Sequence, residues 1–299
     1  MDKFVVFHVE GGLGKNVAST AIIKNIKRKY QDRKLVVVAS FPEIFLNHPD
    51  IYRVYRVGNT PYFWDTYIRE KDTVILKGEP YNETNHMLLK TPLIQTWHEM
   101  FQLPYNKETD LPELHMNMMQ NFFANQWRRP RPILLLHTHG GPIMDGQPQY
   151  AWTRDMSPIL QQAIVNQFGQ QYHILQICKR EDQIIQSPLV EAITRPMSNF
   201  ELFSVLQVSA KRVLIDSSLQ HAAAAMRLPS IVLWVGTSPK AFGYDMHNNL
   251  VANPPSGNTK LPDSTYFDFQ LGGIVHECPY RTLEEMFDTN HVLNEINRF

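Results

Sequence analysis

The residues best suited to chemistry stand where an apolar run gives way to a short alanine-rich segment. Residues 213–215 are branched and apolar, and Asp216, Ser217 and Ser218 follow them. The free N–H groups at the start of a helix attract anions, and nearby hydroxyl groups add hydrogen bonds. His221 comes one helical turn after Ser217 and can face the same side. This spacing predicts a site for a phosphate-bearing ligand, while Asp216 could equally serve only to cap the helix.

The same pattern of an apolar run and a polar turn repeats further along the chain. Residues 231–235 are apolar, and Gly236, Thr237 and Ser238 follow. Such runs alternate with helical segments along much of the sequence, which predicts an α/β fold with parallel sheets. Ligands of such sheets bind at the carboxyl ends of the strands. We therefore expect Thr237 and Ser238 to belong to the same site.

A glycine-rich turn after the first predicted strand is the second candidate for chemistry. It contains a carboxylate, three glycines and a lysine: Glu10, Gly11, Gly12, Gly14 and Lys15. The turn resembles the phosphate loop of deviant P-loop ATPases, but Val9 stands where that loop has glycine and Asn16 where it has a Mg²⁺-binding hydroxyl. Two alternatives remain open, a glycine-rich turn without a ligand and a turn where an acceptor substrate meets a cleft.

Composition narrows the class of protein. The 299 residues are 43% hydrophobic with a net charge of zero, which argues against disorder and against general attraction to nucleic acid. Two cysteines make a disulfide framework unexpected, and no apolar stretch reaches the length of a membrane span. The first residues read as a strand rather than a signal peptide. We expect a cytoplasmic protein without a transmembrane segment.

No metal or resident cofactor is expected from the sequence. His137 and His139 form a pair, but no third ligand follows at a diagnostic spacing. The chain also has no Asp-x-Asp pair that could hold Mg²⁺ against a diphosphate.

The arginine- and proline-rich stretch at 127–132 is a linker signal between two halves. Each half begins with a predicted strand followed by paired glycines. We expect two doubly wound, Rossmann-like α/β domains that face each other across a cleft, over residues 1–128 and 129–281. The predicted C-terminal helix, within 282–299, either stays on the second domain or crosses back to the first.

The stretch from Asp216 to Gly243 resembles the donor-binding half of the heptosyltransferase-like glycosyltransferases. Their pattern is Asp-Thr/Ser-Gly-x-x-His-x-Ala-Ala, a proline, a strand and Gly-Pro-Thr-Ser-Pro, which matches here through His221, Pro229 and Ser238. Residues 197–210 and the loop with Gly12 and Gly14 are similar to other parts of that family. The resemblance is specific at 211–243 and weaker elsewhere.

The resemblance implies a GT-B glycosyltransferase that uses a nucleotide-sugar as co-substrate, without a metal. The acceptor could be a glycan, lipopolysaccharide, a protein or a modified DNA base. Residues 1–128 would take the acceptor and 129–281 the nucleotide-sugar, through these residues: Arg154, Asp216, Ser217, Ser218, His221, Thr237 and Ser238. The chain departs from the family at Ser218, where glycine is usual, and at Lys15, where the catalytic Asp stands. Glu10, or else His137, is therefore expected as the base. The alternatives to transfer are a nucleotide-sugar-binding protein without activity and a P-loop-like ATPase.

Overall fold

The computed structural model describes residues 2–58, 60–140, 151–255 and 278–299. In the described part of the chain the strands form two separate sheets, in which all strand pairs are parallel. Both sheets carry apolar residues on both faces, because helices cover each face.

The first sheet has the strand order β3-β2-β1-β4. Its strands are β1 Lys3–Val9, β2 Lys34–Ala39, β3 Arg53–Arg56 and β4 Asp72–Lys77. The helices of this half are α1 Leu13–Ser19, α2 Ile23–Lys29, α3 Phe63–Tyr67, α4 Thr84–Met87, α5 Leu93–Met100 and α6 Met118–Gln126. A 3₁₀ turn over Thr20–Ile22 joins α1 to α2.

The second sheet has the strand order β10-β9-β8-β5-β6-β7. Its strands are β5 Ile133–His137, β6 His173–Ile177, β7 Val190–Ile193, β8 Lys211–Ile215, β9 Ile231–Trp234 and β10 Asn248–Val251. The helices of this half are α7 Pro158–Phe168, α8 Asn199–Val208, α9 Ser218–Ala225, α10 Pro239–Phe242 and α11 Thr289–Arg298.

The strand orders place a switch point in each sheet. In the first, the chain runs from β1 to β2 and β3 on one side, then returns to add β4 on the other. In the second, the reversal falls between β5 and β8. A crevice opens at the carboxyl ends of the strands where such a reversal occurs. The loops after β1, β4, β5 and β8 are therefore the ones positioned to bind ligands.

Helices α1 and α9 join the two halves. Three alanines of α9, Ala222, Ala223 and Ala224, are fully buried, and Val17 of α1 belongs to the same continuous core as Ala222. Short side chains let the two helices approach closely, and the first turns of both face the same crevice. The sequence prediction of two doubly wound sheets facing a cleft is confirmed.

The last helix packs on the second half. Val292 and Ile296 of α11 are buried in the core that contains Leu160 and Ile164 of α7. The ammonium of Lys211 donates to the Ile296 carbonyl at 2.6 Å. These contacts hold α11 against α7 and the start of β8. Residues 141–150 and 256–277 of the expected second domain lie outside the described residues.

Candidate functional site

A cleft of about 820 Å³ lies between the two halves, within the usual 300–1,000 Å³ of small-molecule sites. Its lining comes from the switch points of both sheets. The residues expected from the sequence that line it are Gly12, Gly14, Lys15, His137, Arg154, Asp216, Ser217, Ser218 and His221. The structure therefore brings most of the predicted donor residues and the glycine-rich turn to one place.

Ser217 lies at the start of α9 and lines the cleft. Its hydroxyl accepts a hydrogen bond from the Leu219 amide at 3.3 Å and lies 3.0 Å from Nδ1 of His137. The second contact crosses from β8 to the neighbouring β5, because both strands end at the switch point. A helix N-terminus with two serines at this position can bind an anion.

Asp216 does not cap α9, in contrast to one interpretation of the sequence. Ser217 caps the helix, while Asp216 accepts a hydrogen bond from the Thr237 hydroxyl at 2.5 Å. Burial raises the pKa of the Asp216 carboxyl, while the nearby charge of Arg154 and the Thr237 hydroxyl lower it. Thr237 therefore acts on the site through Asp216.

Ser238 lies one residue further along and caps a different helix. Its hydroxyl accepts from the Lys240 amide at 3.2 Å, at the start of α10. Among the described residues, neither Thr237 nor Ser238 belongs to the lining of the cleft. The structure thus separates them from the residues that face the cleft directly.

His221 lies between the cleft and the α1–α9 contact. Its Nδ1 is 2.7 Å from the Tyr244 hydroxyl, and a methyl group built at Gly14 would approach the ring to 2.9 Å. Burial lowers the pKa of His221 to about 3, so the ring is neutral at pH 7. A neutral imidazole can still offer one hydrogen bond to a ligand.

The cleft carries basic side chains that the sequence prediction missed. Lys179 and Arg195 line it together with Arg154. The Lys179 ammonium donates to the Gly140 carbonyl at 2.6 Å, and burial lowers its pKa to about 8. Lys179 lies two residues after the end of β6. Because ligands bind at the carboxyl ends of such strands, this position could have indicated a binding residue from the sequence.

The glycine-rich turn places Lys15 against a carboxylate from the loop that follows β4. The Lys15 ammonium lies 2.6 and 2.5 Å from the two carboxylate oxygens of Glu79, and 5.0 Å from the centre of the Tyr81 ring. Gly11 has a φ of 111°, and a methyl group there would come within 3.0 Å of the Lys15 side chain. The turn thus needs glycine to pack against Lys15.

Asn16 holds the same turn from within. Its side-chain amide donates to the carbonyls of Gly11 and Gly12 at 3.2 and 2.9 Å, and its oxygen accepts from the Phe41 amide at 3.4 Å. The Asn16 side chain therefore shapes the loop. It occupies the position where a P-loop has its Mg²⁺-binding hydroxyl.

Glu10 is not in the cleft, so the expectation that it faces the cleft is wrong. Its carboxylate lies 3.2 Å from the ammonium of Lys77 and 3.1 Å from Nε2 of His8, and its side chain is 52% exposed. Strands β1 and β4 pair His8 with Lys77, which draws Glu10 to that surface. Lys77 lowers the pKa of Glu10, and neither Lys77 nor His8 lines the cleft.

His137, the second expected base, does line the cleft. Burial lowers its pKa to about 3, so it is a neutral but weakly basic imidazole at pH 7. Its Nδ1 is engaged with Ser217. Its partner in the sequence pair, His139, bonds through Nδ1 to the Thr138 hydroxyl at 2.8 Å.

A group of residues outside the cleft has the composition of a metal site. His48, Glu113 and His115 place one ligand atom each within 4.8 Å of one another, and none of the three lines the cleft. Nδ1 of His48 accepts from the Asp50 amide at 3.2 Å. The ammonium of Lys24 pairs with Glu113, so it would compete with a cation for that carboxylate.

A second cavity of about 810 Å³ adjoins the cleft. It shares His221 and Phe242 with the cleft and is otherwise lined from α5, the segment 105–111 and the region of α10. The two cavities together give the crevice room for more than one ligand.

No family model matches the chain, and no curated protein matches it in sequence. Solved structures do match it over nearly its whole length. A glycosyl transferase family 9 protein from Veillonella parvula has a TM-score of 0.65 at 10% identity, covering 99% of this chain and 96% of its own. The E. coli heptosyltransferase WaaC with ADP has a TM-score of 0.60 at 14% identity, covering 99% of both chains. The chain has the GT-B fold of these glycosyltransferases.

A third similar structure is that of the dodecameric iron-containing heptosyltransferase TibC in complex with ADP-D-β-D-heptose. Its TM-score is 0.65 at 14% identity, with 99% of this chain and 77% of that chain covered.

Within the described ranges of this protein, none of the helices has the length and apolar character needed to cross a membrane.

Proposed function

We propose that this protein is a glycosyltransferase that moves a sugar from a nucleotide-sugar to an acceptor hydroxyl. The observation that carries the proposal is the start of α9. There Ser217 and Ser218 form the N-terminus of a helix and line the cleft. Lys179 and Arg154 line the same cleft. This combination of helix N-terminus, hydroxyls and cations suits a diphosphate. The GT-B fold supports it.

The donor side of the reaction requires that the departing diphosphate be stabilised as negative charge develops on it. Fixed dipoles and cations that already point at that charge lower the barrier without a metal. Ser217, Ser218 and the α9 amides serve as the dipoles, and Lys179 and Arg154 supply the positive charge. We propose that transfer is independent of metal for this reason.

The proposed donor class is a nucleoside-diphosphate sugar. ADP and ADP-heptose are the ligands named for two of the similar structures, so ADP-linked sugars are the first to test. The acceptor class stays a prediction from the sequence, namely a glycan, lipopolysaccharide, a protein or a modified DNA base. The expected domain limits, 1–128 and 129–281, and a cytoplasmic location also stay predictions.

Two features bear on the alternative functions. Lys15 in place of the family's acid leaves open a protein that binds the nucleotide-sugar without transferring it. For the ATPase alternative, the ammonium of Lys15 is engaged with Glu79 and the amide of Asn16 with its own loop. The two residues that would serve ATP and Mg²⁺ in a P-loop thus have structural partners here.

The test is transfer of labelled sugar from ADP-, UDP- and GDP-linked donors, measured in excess chelator. We expect nucleoside diphosphate to be released from one donor class, with the label passing to an added acceptor or to water. Binding without release would favour the non-transferring alternative. Release of phosphate from ATP that depends on Mg²⁺ would favour the ATPase.

A further inference from the structure

We infer that Glu79 is the proton acceptor of this reaction, with Lys15 as its positioning residue. The inference rests on the proposed transferase function. Lys15 stands where the resembling family has its catalytic Asp, and Lys15 binds the Glu79 carboxylate through both oxygens at 2.6 and 2.5 Å. The family has a carboxylate at this position, and here the Glu79 carboxylate lies beside Lys15 instead, although the two residues are 64 positions apart in the sequence.

The topology puts this pair where a substrate should bind. Lys15 follows β1 and Glu79 follows β4, the two neighbouring strands at the switch point of the first sheet. The N-terminal turns of α1 and α9 meet at Gly14 and Ser218, since a methyl group at Gly14 would lie 3.3 Å from the Ser218 Cα. Lys15 lines the cleft on the side of the first sheet, and the Glu79 carboxylate lies beside it at the edge of the cleft.

The Glu79 carboxylate is both fixed and accessible. Lys15, which is only 5% exposed, holds it on one side, and the Tyr81 amide donates to it at 3.4 Å. Lys15 and Tyr81 both line the cleft. The Glu79 side chain itself is 43% exposed, so a hydroxyl can reach it and the proton can leave to solvent.

The chemical step balances with these groups alone. The acceptor hydroxyl oxygen forms a bond to the anomeric carbon of the sugar while its proton passes to the Glu79 carboxylate. The bond between that carbon and the diphosphate oxygen breaks, and the electron pair leaves with the nucleoside diphosphate. Lys15 keeps the carboxylate oriented and does not take the proton. The partners of Glu79 line the cleft, whereas Lys77 and His8, the partners of Glu10, do not.

The experiment compares Glu79→Gln with Glu83→Gln, an exposed glutamate four residues on. Release of nucleoside diphosphate from ADP-, UDP- and GDP-linked sugars is measured with water as acceptor, and nucleoside-diphosphate affinity by calorimetry. We expect Glu79→Gln to lower turnover by roughly 10²–10⁴-fold with affinity nearly unchanged. Glu83→Gln should match the wild type. Added formate should restore part of the turnover of Glu79→Gln.

Near-normal turnover in Glu79→Gln would overturn the inference, and so would a loss of turnover accompanied by an equal loss of affinity. Loss in Glu10→Gln but not in Glu79→Gln would restore Glu10 as the base. If Glu79→Gln folds poorly, Glu79→Asp keeps the ion pair with a shorter reach and should show an intermediate rate. Absence of release by the wild-type protein would contradict transfer itself rather than the assignment of Glu79.

Discussion

The charge of a single residue, Lys15, separates this site from the family pattern it resembles. The sequence showed the lysine and predicted Glu10 as a substitute base, because Glu10 precedes the glycine loop at the end of a strand and was expected to face the cleft. The structure pairs Lys15 with Glu79 and Glu10 with Lys77. Neither pairing was predictable from spacing, since each depends on β4 lying beside β1.

Lys179 gives a residue-scale prediction for pH dependence. Burial lowers its pKa to about 8, so in the free protein it loses its charge as the pH rises through that value. A bound diphosphate favours the charged form, so binding above pH 8 must include uptake of a proton. We expect calorimetry to show nucleoside-diphosphate affinity falling about five- to tenfold between pH 7.5 and 9.

Two variants control this prediction. Lys179→Met should bind more weakly at pH 7.5 and show no further fall, and Lys179→Arg should bind without the pH dependence, because arginine keeps its charge. An unchanged pH dependence in Lys179→Met would remove this residue from the site.

At the scale of elements, the sequence predicted most strands and the main helices but not their ends or caps. β1, β5, β8 and β9 were predictable from apolar runs in the sequence, because each of these strands is buried on both faces. The sequence offered Asp216 as a cap of α9, and Ser217 caps the helix instead. Asp216 was drawn instead to Thr237, from a loop that follows a different strand, a contact that local sequence does not encode.

The contact between α1 and α9 predicts different effects for two neighbouring glycines. A methyl group at Gly14 would lie 2.9 Å from the His221 ring and 3.3 Å from the Ser218 backbone, while one at Gly12 would meet nothing within 4 Å. We expect Gly14→Ala to lower the free energy of unfolding by about 1–3 kcal/mol through overpacking. Gly12→Ala should stay within about 0.5 kcal/mol of wild type.

Denaturant unfolding of both variants checks this prediction, and nucleoside-diphosphate affinity should fall for Gly14→Ala alone. Equal stability of the two variants would show that the helices do not pack as closely as described.

On the scale of the whole molecule, the two-sheet architecture was predictable because alternating strands and helices permit few arrangements. The cleft between the sheets could be expected only in outline. Which residues enter it depends on the two switch points and on the α1–α9 contact. Lys179 and Tyr81, which line the cleft, and Glu79, which binds Lys15 beside it, were missed for that reason.

Several buried histidines make the whole fold sensitive to acid. Burial lowers the pKa of each below its ordinary value of 6.5: His48 to about 4, His137 to about 3, His139 to about 4, His221 to about 3 and His247 to about 4. Below pH 6.5 the unfolded chain binds protons that the folded chain does not. The stability is therefore fully present above that pH and is lost as the pH falls toward 4.

We expect the free energy of unfolding to fall by on the order of 1 kcal/mol per pH unit for each such histidine below pH 6. Urea unfolding between pH 8 and 5 measures this, and His247→Gln should reduce the slope. A stability that stays constant over this range would contradict the burial of these rings in neutral form.

The most direct measurement of the central claim is a crystal structure of the protein with a bound nucleoside diphosphate. We expect the diphosphate at the start of α9, in contact with Ser217 and Ser218 and near Lys179, with Lys15 still paired with Glu79. A diphosphate held instead by the turn from Gly11 to Lys15 would contradict the donor site and favour a P-loop function.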